Sequence, residues 1–220
     1  DDAHAYGSKY YEINKDHVRS AGSFGNAGVF SFYPSKIMTT AEGGMITTND
    51  DELAERCRVV RNHGIRRNDG KHQGLDYGYT CDMPSTNYRM SEFHAVLGIS
   101  QNKCVDDFLF RRNHIADLYT KRIDEIDWLE TPYIDDMIYQ SWWQYIVKIT
   151  DGRDRTQILL KLLNDFNIPT ANAYQPLCHQ QKIYEKFLSK NNFDNSEDFI
   201  IKIFSLPMYV ELKEEQVHYV

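Results

Sequence analysis

The chain has no run of roughly 18 apolar residues of the kind a membrane-spanning helix needs, and no basic-then-apolar leader opens it. The cytoplasm is the expected location. Cysteine is scarce: Cys57, Cys81, Cys104 and Cys178 stand far apart with no CxxC pair, which suits reduced thiols better than a disulfide framework. Excess positive charge is also missing. Against 25 Lys and Arg stand 32 Asp and Glu, a net charge of −7, so no global basic surface draws nucleic acid or an anionic membrane. Any phosphate must be captured locally. Neither an internal repeat nor a low-complexity tract occurs, and charges of both signs are interspersed, as on solvated helix faces.

What is present is the composition of a folded globular protein. The 220 residues are 41% hydrophobic and 26% charged, with 15 Tyr, enough to bury a substantial core as one large domain or two small ones. The first residue is Asp1 and not Met, and DDAHAYG reads as the end of a strand entering a functional loop. An N-terminal part of the protein is therefore expected to be absent from this sequence.

Two β-rich runs, VFSFY at 29–33 and GGMITTND at 43–50, read as neighbouring strands bounded by Pro, Gly, Asn and Asp. PSKIMTTAE between them is too short for a helical crossover, which puts Lys36 on a loop leaving a strand end. Asn49 is placed to cap a helix over 50–62, with Leu53, Cys57 and Val60 at helical spacing. The glycine-punctuated, aperiodic stretch 64–78 reads as an exposed loop that orders against a ligand or partner. From Ser91 the pattern predicts one long, bent helix that continues through Arg111, Arg112 and Asn113 into IADLYTKRIDEI. After Pro132 come a strand in SWWQYIVKIT, a helix in DRTQILLKLLNDF, and helices near 180–190 and 213–219. The expected organisation is α/β: residues 1–110 in one domain and 111–220 in a smaller α+β domain.

A lone loop lysine is ordinarily a solvated charge. Lys36, however, stands just after a buried strand, with Ser31 five residues before it and the Glu42-Gly43-Gly44 turn six to eight after. A lysine that attacks a carbonyl must lose its proton near neutral pH, which desolvation favours. Across nearly its whole length the chain then resembles the DegT/DnrJ/EryC1/StrS family of sugar aminotransferases, fold-type I enzymes that use pyridoxal phosphate. The resemblance is carried by DDAHAYGSKY, GSFGNAGVFSFYPSKIMTTAEGGMITTND, RNHG, NYRMSEFHAVLGISQ, AYQPLCHQQKIY and SLPMYVELKEEQV, in that order.

The resemblance implies a fold-type I chain comprising the later part of the large mixed-sheet domain and a small C-terminal domain. It implies Lys36 as the Schiff-base lysine and proton shuttle. Asp1 matches the aspartate that pairs with the pyridinium nitrogen; Asp2 is its rival, but only Asp1 gives the family spacing to His4 and Gly7. His4 would lie over or beside the ring, or act simply as a hydrogen-bonded histidine. Ser31 matches the serine that donates to the cofactor phosphate, against a strand serine that satisfies backbone groups. Asn87 would reach the phosphate of the neighbouring subunit in a homodimer with shared sites, or cap the turn before the helix. Arg89 would bind anionic substrate or brace the interface. The implied reaction moves an amino group from an amino acid, L-glutamate, to a nucleotide-linked keto-sugar, with no metal.

Two departures from the family pattern stand out. Ala41 replaces the usual Gly before the Glu-Gly-Gly turn, which is harmless if its φ is negative. About six extra residues lie between Asp1 and Lys36, near NKDHVR, where a loop absorbs length cheaply. The rival functions are sugar dehydration, whose performers in the family carry His where Lys36 stands, and a non-catalytic homologue acting as a regulatory or assembly subunit.

Overall fold

A computed structural model of the chain describes residues 1–12, 17–66, 80–172, 174–187 and 192–220. Residues 67–78 of the expected loop, and 14–16 of the extra stretch near NKDHVR, lie outside them. The first part of the chain runs β1 (Lys9–Tyr11), β2 (Val18–Ser20), β3 (Gly28–Ser31), β4 (Gly44–Thr47), α1 (Asp51–Val60), β5 (Ile65–Arg66), β6 (Thr80–Cys81) and α2 (Glu92–Asn102). It continues with α3 (Val105–Ile123), β7 (Leu129–Glu130), β8 (Ile138–Tyr139), β9 (Tyr145–Ile149), α4 (Arg155–Phe166), α5 (Asp194–Ile200), β10 (Ile203–Leu206) and α6 (Glu214–Tyr219). Two compact units result: Asp1–Asp106 with Met137–Ser141, and Asp107–Asp136 with Trp142–Val220.

In the first unit β3 and β4 pair antiparallel, Gly28 opposite Thr47 through Ser31 opposite Gly44. The strand expected at 29–33 is β3, and its side chains alternate, with buried Phe30 between exposed Val29 and half-buried Ser31. A second sheet orders β2, β1 and β8, all antiparallel. Its strands are two or three residues long and were not evident in the sequence. The helix expected over 50–62 is α1, but its cap is Asp50 and not Asn49. Asp50 has the extended backbone of an N-cap and accepts the Leu53 N–H at 3.0 Å, and Asp51 and Glu52 in the first turn suit the helix dipole.

The single long helix expected from Ser91 is two. Ser91 caps α2 by accepting from the His94 N–H at 3.3 Å, and the helix ends at Asn102 before α3 begins at Val105. The polar Arg111-Arg112-Asn113 segment does not interrupt α3, because its polar groups are consumed where they stand. Arg111 Nη2 donates to the Leu212 carbonyl at 2.6 Å, Arg112 Nη1 to that of Trp142 at 2.9 Å, and Asn113 Nδ2 to that of Leu109 at 2.8 Å.

The second unit packs α3, α4 and α6 against an antiparallel sheet ordered β10, β9, β7. Tyr145, Val147 and Ile149 of β9 point inward with Ile115, Tyr119, Phe204 and Leu212. Burying each contributes about 1.5–3 kcal/mol. The helix expected in DRTQILLKLLNDF is α4, capped by Asp154 and closed by left-handed Asn167. Near 180–190 the described residues form short 3-10 segments, Cys178–Gln180 and Lys182–Phe187, joined by i to i+3 bonds such as Gln180 N–H to Leu177. Strand β10, at the edge of this core sheet, was missed in the sequence.

Candidate active site

Lys36 sits on the connection from β3 to β4. The connection folds back on its own strand: Phe32 N–H donates to Gly43, and the Thr40 N–H and the Thr39 hydroxyl both reach the Phe32 carbonyl, at 2.9 and 3.1 Å. Lys36 N–H donates to Tyr33 at 3.0 Å. Ile37, Met38 and Thr40, all buried, anchor the residues after the lysine. Lys36 is thus half-buried on a braced turn, and burial lowers its pKa from the ordinary 10.5. Ser31 ends β3, and its Oγ accepts the Tyr33 N–H at 3.4 Å.

The expected condition on Ala41 fails. Its φ is +64°, a left-handed conformation that suits glycine and costs an alanine about 1–2 kcal/mol. The position is nonetheless held, because the Ala41 N–H donates to Thr39 Oγ1 at 2.9 Å.

The Asp1–Gly7 loop is a run of turns tied to β3. Asp2 N–H donates to Val29, Ala5 N–H to Asp2 and Ser8 N–H to Ala5, all at 2.9 Å. Asp1 is exposed, and its carboxylate accepts the Ala3 N–H at 3.1 Å. Tyr6 locks the loop from below, a role that nothing in the sequence singled out. Its ring meets Phe30 and Phe32 edge to face, with centroids 5.6 and 5.7 Å away, and its hydroxyl donates to Asn102 Oδ1 at 2.7 Å. His4 is thereby held near Lys36. Its pKa is lowered from 6.5, first by burial and second by the positive charge of Lys36.

Asn87 and Arg89 stand between β6 and α2 in the first unit. Asn87 bridges to Asn62, Tyr88 N–H donates to Arg61, and Asn87 Oδ1 accepts both the N–H and the Nε–H of Arg89 at 3.1 Å. The described bonds of this side chain use Oδ1 alone. Arg89 lines a pocket of about 450 Å³ with Arg58, Arg61 and Glu55. Among the described residues no cluster of His, Cys, Asp or Glu is placed to hold a metal ion, and no helix is long and apolar enough to cross a membrane.

The chain spans about half the length of the relatives it matches. The spore coat polysaccharide biosynthesis protein SpsC of Bacillus subtilis is 31% identical over 224 residues, covering 99% of the chain and 56% of that protein. GDP-perosamine synthase of Escherichia coli O157:H7 is 30% identical over 220 residues, covering 100% of the chain and 55% of that protein. Among solved structures, Helicobacter pylori PseC, an aminotransferase of pseudoaminic acid biosynthesis, superposes with a TM-score of 0.85 at 28% identity, over 99% of this chain and 56% of that one. The mixed α/β arrangement is that of fold-type I. All 220 residues match one family pattern, and the chain belongs to the DegT/DnrJ/EryC1/StrS aminotransferase family.

Proposed function

We propose that the protein containing this chain is a pyridoxal-phosphate-dependent aminotransferase that moves an amino group from L-glutamate to a nucleotide-linked keto-sugar. It works as a cytoplasmic homodimer with shared sites. The observation that carries this reading is Lys36: an amine made easier to deprotonate by burial, on a braced turn one strand end from Ser31, with His4 beside it. The names of relatives, GDP-perosamine synthase and a UDP-amino-sugar transaminase, support the substrate class. Family members that dehydrate sugars carry His at this position, and Lys36 weighs against that chemistry.

The residues present fit the cofactor: a nucleophilic amine, a hydroxyl at a strand end, and a carboxylate on a braced loop. When bound, pyridoxal phosphate supplies an electron sink that stabilises negative charge on the substrate carbon. The rest falls to the chain. Lys36 would hold the cofactor, and its Nζ would take up and give back the substrate proton. Asp1 would pair with the ring nitrogen, since a carboxylate beside that N–H favours its charged form. His4 would flank the ring, its pKa lowered by burial and by the charge of Lys36. Ser31 Oγ donates to the phosphate. Asn87 of the partner subunit offers its Nδ2 donors to the same phosphate, its Oδ1 being committed to Arg89. Arg89 faces the anionic substrate. The first compact unit corresponds to the later part of the large domain and the second to the small domain.

The absorbance spectrum of the full-length protein tests this directly. The visible band of lysine-held cofactor should vanish when glutamate is added and return with a nucleotide-linked keto-sugar. A band that glutamate leaves untouched overturns the reading.

A further inference from the structure

β1 and β8 run antiparallel with Lys9 opposite Tyr139 and Tyr10 opposite Ile138. One step beyond the last pair, this register sets Ser8 beside Gln140, with Ser141 next along the chain. Both serines are buried, Ser8 at 8% exposure and Ser141 at 1%. Their polar atoms form a chain of hydrogen bonds with one direction. Ser141 N–H donates to Ser8 Oγ at 3.0 Å, Ser8 Oγ donates to Ser141 Oγ at 3.0 Å, and Ser141 Oγ donates to the His4 carbonyl at 3.2 Å. The polarity is forced, because the amide at the start only donates and the carbonyl at the end only accepts. Each hydroxyl has one proton and spends it here; Gln140 Oε1, 3.4 Å from Ser8 Oγ, is the weaker alternative acceptor.

A buried serine 137 positions away in sequence therefore ends on the main chain of His4. Such a chain is stiff, since each bond polarises the next and breaking one strands a buried polar group. Alanine at 141 would remove both the acceptor for Ser8 and the donor to His4. Threonine would add a methyl where no space is exposed. The Asp2, Ala5 and Ser8 turn bonds flank the anchored carbonyl on either side, so the anchor fixes the middle of the loop.

We infer that Ser141 and Ser8 are positioning residues for the reaction: they hold the His4 backbone, and through it the imidazole, at a set depth beside Lys36. The effect on rate rests on the proposed place of His4 next to the cofactor ring; the effect on His4 itself does not.

The test uses full-length, cofactor-loaded enzyme and two readouts. The first is the titration of the His4 imidazole by NMR, assigned with His4→Gln. Loosening the loop exposes the ring, so Ser141→Ala should raise the His4 midpoint by about half a pH unit or more. Ser8→Ala leaves the final bond to His4 and should give a smaller rise, and it carries the same readout if Ser141→Ala does not fold. The second readout is kinetic: kcat should fall roughly tenfold for Ser141→Ala with KM for glutamate nearly unchanged, as for a displaced catalytic neighbour. In the His4→Gln background the same change should cost no further rate. A His4 midpoint that stays in place in both serine variants, or a rate loss undiminished in that background, overturns the inference. If His4→Gln alone keeps the parental rate, the reading of His4 as ring neighbour fails, and the NMR shift still decides the positioning role.

Discussion

At Lys36 a single charge is set by its surroundings. Burial disfavours the ammonium, so the folded pKa lies below 10.5 while the unfolded value stays there. Between the two values the unfolded chain binds more protons, and stability rises with pH in that window. The neutral amine is the nucleophile. The rate at which full-length apoprotein captures pyridoxal phosphate should therefore climb with pH and level off below 10.5, where an ordinary lysine would still be gaining. An inflection at or above 10.5, read by stopped-flow absorbance, would show Lys36 to be solvated. Ala41 makes the opposite case, a residue at odds with its backbone. Replacing it with glycine relieves left-handed strain of about 1–2 kcal/mol but frees the unfolded chain by about 0.5–1 kcal/mol. Ala41→Gly should gain about 0.5–1 kcal/mol in denaturant unfolding, and a loss would mean that φ is not +64°. The position of Lys36 on a loop was legible because Pro34 and Gly43-Gly44 bracket it. The left-handed φ of Ala41 was not, since alanine gives no such signal. Nor was Ser141, whose partner lies 133 residues away and whose neighbours read only as a strand.

Helix α1 shows how an element's start depends on one side chain. Asp50 Oδ1 takes the Leu53 N–H, satisfying an amide that has no partner within the helix. Asp50→Ala should cost about 1 kcal/mol by denaturant unfolding, whereas Asn49→Ala should change stability by a few tenths at most. The reverse ranking would return the cap to Asn49. Both residues are good caps, and only the backbone angle at Asp50 separates them, which is why the sequence left the start one residue early. Helices α1 and α4 were legible because a cap and a 3.6-residue period coincide. The break between α2 and α3 was hidden, because apolar spacing persists across it while the two helices serve different compact units. Strands β1, β2 and β8 are too short to show a period of two. Strand β10, IFSL, is buried at three of its four positions, and so it reads as a plain apolar run that periodicity cannot assign.

For the whole molecule the exposed face of α2 sets the expectation. Phe93, Val96 and Ile99 are 88%, 66% and 61% exposed, apolar surface of the kind that a partner covers. NYRM leads directly into that helix, so a partner seated there would lie close to Asn87, whose Nδ2 donors the described bonds leave uncommitted. The proposed homodimer needs both features, since each of its sites would join Lys36 of one subunit to Asn87 of the other. Complementation tests it in the full-length protein. Lys36→Ala removes the nucleophile, and Asn87→Asp sets a negative charge against the phosphate; each homodimer should be impaired. In a hybrid, one site carries both lesions and the other carries neither. With free exchange between equal pools, half of the dimers are hybrids with one intact site of two, so activity should recover to about a quarter of the parent level. If both lesions instead fell within one subunit's own site, every hybrid site would contain one of them and nothing would be regained. Hybrids no more active than the two parents, while tagged subunits demonstrably exchange, would place Asn87 outside the shared site and leave the α2 face to some other contact.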